Sequence, residues 1–354
     1  MESTAPVFDF DRLRPEADLR DADLRDVALG AANLSGANLA GANLQGVEID
    51  EALLAGADFS GADLRGAHLS GSLLNGAVFT GADLTGATFD GCLLDAATFR
   101  DARLDDATFV SCGAERADLR GATLQRCTIE ASSLEKARLS GCDLREAVLT
   151  GSLFTEADLS ATILSGANLE QALLRGANLT GADCTESVLS GAILEEAMAP
   201  GAVFRSAFLV AAFARRADLS GCDFSGAKLS VGTFERATLA HATFFHTTAE
   251  NAVFEYADLR DAKLSQSAFT FANFVGAEFA GAQAAACSFF GADLYWASLD
   301  RFQRAQCDFE SARMPEAVEP AFGPGGAPPP VSPRPLSRTP SAARPGNGAT
   351  RTRP

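Results

Sequence analysis

A five-residue period that never slips constrains this chain more than any other feature. From Ala17 to Glu316, sixty quintets follow one another without insertion or deletion, opening ADLRD-ADLRD and ANLSG-ANLAG-ANLQG. The quintet centres (Leu19, Leu24, Leu29 and onward) hold 34 Leu, 16 Phe, 2 Ile and 5 Ala, and the other three are Cys184, Arg304 and Met314. The residue two before each centre is Ala in 42 of 60, which marks that site as crowded, and Gly stands two after the centre 24 times.

A period of five fits neither common element. In an α-helix it would spread the centres around every face, and in a strand, being odd, it would alternate them between faces. Only a chain that turns a corner with each quintet keeps all sixty centres inside, so the sequence predicts a solenoid. Gly then serves the corner backbone. The number of sides follows from longer spacings. Nine pairs of central Phe are 20 residues apart, as in Phe59, Phe79 and Phe99, against two pairs at 15 and two at 25. Spacing 10 gives eight pairs, but Leu53, Leu73 and Leu93 recur at 20 with Asp63 and Asp83 between them. Four quintets per coil predict a square cross-section, about 15 coils and, at a strand spacing of about 4.8 Å, a rod roughly 70 Å long.

These quintets resemble the pentapeptide-repeat family, whose pattern is A(D/N)LxG, and the resemblance covers residues 17–316. It implies an all-β fold, a right-handed quadrilateral parallel β-helix. Residues 1–16 are off-pattern and are expected to cap the first coil, with Phe8, Phe10 and Leu13 over its open end. Near the other end, Phe302 takes a small-residue position and Arg304 a centre, where a buried unpaired cation is too costly, so the last coil is expected to be distorted or open. Residues 317–354 change character: AFGPGGAPPPVSPRPLSRTPSAARPGNGATRTRP is rich in Pro, Gly, Ser and Arg and carries +4, the composition of a disordered tail.

The chemistry-bearing residues fall into structural registers. Seven of the eight Cys (Cys92, Cys112, Cys127, Cys142, Cys222, Cys287, Cys307) occupy the small position and Cys184 a centre, as small buried hydrophobes would. Cys92/Cys112 and Cys287/Cys307 are 20 apart and should stack on adjacent coils, within disulfide range but with parallel side chains; free thiols are the expectation. His241 and His246 lie around a corner from each other and His68 is far along the rod, so surface His rather than a metal site is expected. The Gly recur as corner residues, not as a phosphate loop. A rod without loops offers no cleft to tune an acid–base pair, and the expectation is no enzyme, no cofactor and no metal. No apolar run approaches 18 residues, so no membrane span is expected. MESTAPVFDFDRLRPEADL lacks the basic region and apolar core of a signal peptide, which makes the cytoplasm the expected compartment.

Two surface features remain. The net charge of −17 disfavours direct nucleic-acid binding. It divides into −10 over residues 1–100, −8 over 101–200, −3 over 201–316 and +4 in the tail. Set over the length of ten coils, the −18 of residues 1–200 gives about one net charge per 2.7 Å, against about one per 1.7 Å in duplex DNA. The second feature is apolar. The residue before each centre should face solvent and is often Asp or Asn, but one side reads Leu53, Leu73, Leu93, Gly113, Ser133, Leu153, Leu173, Ile193, Phe213. Such a stripe suits docking of a protein partner or formation of a homodimer. Two functions stay open. One is a binding scaffold working through the rod surface. The other comes from the family resemblance, which includes acidic rods that imitate duplex DNA and protect DNA gyrase from quinolones and toxins. This chain resembles the loopless ones but is longer and shows no C-terminal helix pattern.

Overall fold

In the computed structural model, which describes residues 10–25 and 27–315, the chain is a parallel β-solenoid. Residue i pairs with i+20 from Asp18↔Asn38 to Asp293↔Arg313. Four ladders result, called here the Asp18, Asp23, Glu48 and Leu53 faces. Most pairing is through single-residue bridges, but two stretches form strands. On the Glu48 face, β1 (Glu48–Asp50), β2 (His68–Ser70), β3 (Thr88–Asp90), β4 (Thr108–Val110) and β5 (Thr128–Glu130) stack in chain order. On the Asp23 face, β6 (Thr243–Phe245), β7 (Lys263–Ser265), β8 (Gln283–Ala285) and β9 (Gln303–Ala305) do the same.

One quintet explains all of them. The Asp63 N–H donates back to Ala42 O, Leu64 N–H donates forward to Asp83 O (2.8 Å), and Gly66 N–H to Thr85 O. Ala67 N–H closes the corner onto Leu64 O (3.0 Å). The Arg65 N–H, which the ladder does not use, is taken by Asp63 Oδ1 at 3.2 Å. The Asp or Asn before a centre is therefore a backbone partner, and Asn43, Asp83 and Asn178 act the same way toward residues 45, 85 and 180. Every described residue two after a centre, from Asp21 to Ser311, has φ between 48 and 76°. That corner is left-handed in 35 non-Gly residues as well, counting Glu16, so Gly relieves strain there without being required.

The centres fill one continuous core. Phe59, Phe79 and Phe99 stack at 4.8 Å between ring centroids and meet the Phe89–Phe109 column edge-on at 6.2 Å. Where Ala114 replaces a large centre, a void of about 10 Å³ remains beside Phe99, Phe109 and Leu134. All eight thiols are free; seven are buried and Cys307 is half-buried. Burial pushes Cys142 and Cys222 up to about 12 and Cys287 to about 11.

At the start, Phe10–Arg12 form a 3-10 turn, Arg12 Nη2 donates to Asp18 O (2.7 Å), and Leu13 packs on the core. Phe8 and the Pro-rich segment 317–354 lie outside the described residues. The expected distortion at Arg304 takes a milder form. Register holds through Ala284↔Arg304 and on to Arg313. No later described coil encloses this centre, so the guanidinium stays exposed over the Phe309 ring at 5.2 Å.

Two neighbouring substitutions should have opposite signs. Val231 is a β-branched residue at φ 54°, so Val231→Gly should raise stability by about 1 kcal/mol. At Gly232 an added Cβ would come 2.9 Å from Leu229 O and from the Phe234 ring, so Gly232→Ala should cost about 1–3 kcal/mol although Ala dominates that position elsewhere. Urea midpoints measure both. The burial of the other seven thiols predicts that iodoacetamide at pH 8 alkylates only Cys307 rapidly in the native protein and all eight in urea.

Candidate docking face

The apolar stripe is one unbroken ladder. Leu53, Leu73, Leu93, Gly113, Ser133, Leu153, Leu173, Ile193 and Phe213 bridge in succession, and the row continues to Thr233 and Val253. Leu93 and Phe213 are 44% and 48% exposed, Leu53 and Leu73 are also exposed, and Leu153, Leu173 and Ile193 are half-buried by their neighbours. Leu cannot accept the backbone N–H that Asp63 accepts in its own quintet. The fold therefore gains nothing in hydrogen bonding from Leu at these positions, where Asn would serve it better.

Corner residues that the alternation did not flag add to this face. Val231 and Phe271 stand on one edge, Tyr256, Tyr295 and Trp296 on the other. Of eleven exposed large hydrophobic residues among the described ones, seven (Leu53, Leu73, Leu93, Phe213, Val231, Phe271, Trp296) belong to this face or its corners, which makes it the apolar side of the rod. The chain's two Tyr and single Trp are all on one edge of it. Tyr295 is stacked between Trp296 (4.6 Å) and the Arg313 guanidinium (3.8 Å), and Tyr256 lies over Gly276 with Arg236 at 5.6 Å. The signal for Tyr256, Phe271 and Trp296 was the corner phase itself, where 24 of 60 residues are Gly.

Charge is divided among the sides as well as along the axis. The Glu48 face sets nine carboxylates against one cation, Lys228. The Leu53 face also has nine carboxylates among the described residues but seven Arg or Lys, and several are paired: Lys136–Glu156, Arg175–Glu195, Arg215–Glu235 and Arg216–Glu196, at 3.0–3.5 Å. Elsewhere, D-L-R quintets neutralise themselves. Arg65, Arg120, Arg145 and Arg260 pair with Asp63, Asp118, Asp143 and Asp258 at 2.5–2.6 Å, and these hydrogen bonds hold the four carboxyls below the usual range.

His68, His241 and His246 are exposed, with His246 against the Phe245 ring. Among the described residues no group of three or more His, Cys, Asp or Glu is placed to hold a metal. An open recess of about 370 Å³ lies beside Arg25, Gly30, Glu48 and Asp50, lined by no Ser, Cys or His. No helix among the described residues is long and apolar enough to cross a membrane.

A loopless, four-sided parallel solenoid of A(D/N)LxG quintets is the class that fold and surface define. The family model "Pentapeptide repeats (8 copies)" matches in nine segments that together cover residues 16–230 and 233–270. The chain belongs to the pentapeptide-repeat family. Similar solved structures include QnrB1, a plasmid-mediated fluoroquinolone resistance protein, at 23% identity over 61% of this chain and 90% of that one, TM-score 0.32. HetL, a pentapeptide repeat protein involved in heterocyst differentiation regulation from the cyanobacterium Nostoc sp. strain PCC 7120, aligns at 26% over 70% and 89%, TM-score 0.23. A pentapeptide repeat protein from the Arabidopsis thaliana thylakoid lumen aligns at 26% over 34% and 66%, TM-score 0.21. No curated protein matches the chain significantly.

The Asp–Arg pairs give the rod a signed pH dependence. Their folded carboxyl pKa values are depressed, so the stability they add is present above the unfolded Asp value near 4 and is lost as pH falls through the folded values. Arg120→Gln and Arg145→Gln should each lower stability at pH 6 by about 0.2–1 kcal/mol. The gap to the wild type should close by about pH 2, as read from urea midpoints across that range.

Proposed function

We propose that this chain is a non-enzymatic binding protein of the cytoplasm that works through the surface of its rod, with the Leu53 face as its protein-docking surface. The observation that carries this is the ladder Leu53–Phe213, where Leu stands in the position that the repeat fills best with Asp or Asn. Contiguous apolar surface on such an acidic chain marks a contact site. Changing Leu73, Leu93, Leu173 and Ile193 together to Asn should preserve the melting transition and abolish association through this face. Unchanged hydrodynamic size and unchanged partner binding would overturn the reading.

A second reading is supported by charge. The acidity of the first ten coils, densest on the Glu48 face, suits an imitation of duplex DNA offered to DNA gyrase or another DNA-handling enzyme, without contact to nucleic acid. A supercoiling assay with DNA gyrase, with and without a quinolone and at low and moderate salt, tests it. Inhibition or protection that weakens with salt is the expected outcome; neither effect at micromolar protein removes the mimicry.

A further inference from the structure

We propose that the Leu53 face is covered by a second copy of this chain, packed antiparallel about a two-fold axis that passes through the Ser133 row. The inference rests on the docking reading and names the occupant.

Three properties of the face select a second copy. The first is period. Side chains stand in rows about 4.8 Å apart, and a partner meshes with nine such rows only if its own rows have the same spacing, as another coil stack does. The second is area. Eight steps of about 4.8 Å and a width of about four residues give roughly 500 Å² of flat surface per copy, or about 1,000 Å² in all, where specific interfaces begin. The third is charge. A chain of net −17 repels its copy most through the Glu48 face and much less through the Leu53 face, where nine carboxylates meet seven cations.

The ladder also specifies direction and register. Gly113 and Ser133 divide it into two apolar blocks. Antiparallel pairing about Ser133 sets Leu53 against Phe213, Leu73 against Ile193, and Leu93 against Leu173. The rim then becomes complementary. Asp95 faces Arg175 and Arg116 faces Glu156, while at the axis Glu135 and Lys136 stand opposite the same residues of the other copy, each carboxylate diagonal to a cation. Shifting the axis one coil to Leu153 would set Leu173 against Ser133 and Glu115 against Glu195.

Sedimentation equilibrium on the full chain tests the pairing. At tens of micromolar the wild type should run at about twice its 36.8 kDa mass, and more completely at high salt as like charge is screened. The fourfold Asn variant should associate at least roughly tenfold more weakly. Asn at Ile163 and Met198, exposed on other faces, should leave association unchanged. Arg175→Asp should weaken it about threefold, and adding Asp95→Arg should restore it.

Register is read by cross-linking in a Cys307→Ser background, since the other seven thiols are buried. With a bis-maleimide spanning about 10 Å, the distance between packed sheets, Ser133→Cys should link to itself. Leu53→Cys should link only to Phe213→Cys in a mixture of the two. Self-linking of Leu53→Cys would mean parallel rods and overturn the pairing. A dimer that survives the fourfold Asn change would sink both the pairing and the docking reading. A wild type monomeric at 100 μM rules out the second copy; anilinonaphthalene sulfonate then separates the cases. Dye binding lost in the Asn variant leaves the face free for a different occupant, and dye binding equal in both removes the docking reading too.

Discussion

Everything in this protein hangs on the backbone ladder between residue i and residue i+20. Parallel strands this short cannot hold themselves together, because a bridge of one to three residues buries too little surface. The ladder succeeds by repetition: each coil satisfies the backbone of the one before it and presents an identical edge to the next. Three of the five N–H groups in a quintet are spent between coils and one on the corner. In the 20 of 60 quintets with Asp or Asn before the centre, the fifth goes to that side chain.

The same ladder fixes what the interior can hold. Every coil is one strand spacing from the next, so equivalent side chains stack at that spacing, and flat rings do so with little loss. The Phe columns at 4.8–5.2 Å are the result. Small residues before each centre are imposed by the corner. Where the crowding is worst, at Gly232, even a methyl group meets a carbonyl and a ring. Cysteine enters this interior as a filler of the right size, and the chemistry of its thiol is suppressed by the burial that makes it useful.

Most of the fold could be read from the chain before any coordinates. The unbroken phase gave the solenoid, and the recurrence of Phe and Leu at 20 gave the four sides. The stripe Leu53–Phe213 followed from the same phase. What could not be read has physical causes. Arg304 looked like a buried charge because a period assumes that every coil has a successor. The aromatic residues at Tyr256, Phe271 and Trp296 were missed because a corner position was taken for backbone punctuation, whereas Tyr256 and Phe271 lie over Gly276 and Gly291 of the following coil. Charge counted along the axis could not reveal that cations are nearly missing from the Glu48 face and offset most of the carboxylates on the Leu53 face. That requires knowing which quintets share a side.

A coil of 20 residues is also a unit of inheritance. Duplicating or deleting one whole coil leaves every ladder joined and every side facing the direction it faced before. Losing a single quintet would keep the core just as well filled, but it would swing all later coils by a quarter turn. The block Leu153–Phe213 would then point along a different side from Leu53–Leu93. Folding alone tolerates changes in steps of five, whereas a rod whose sides have separate tasks can change length only in steps of twenty. The alignment of the stripe across the Gly113 and Ser133 rows is therefore what a lineage restricted to whole-coil changes would leave behind.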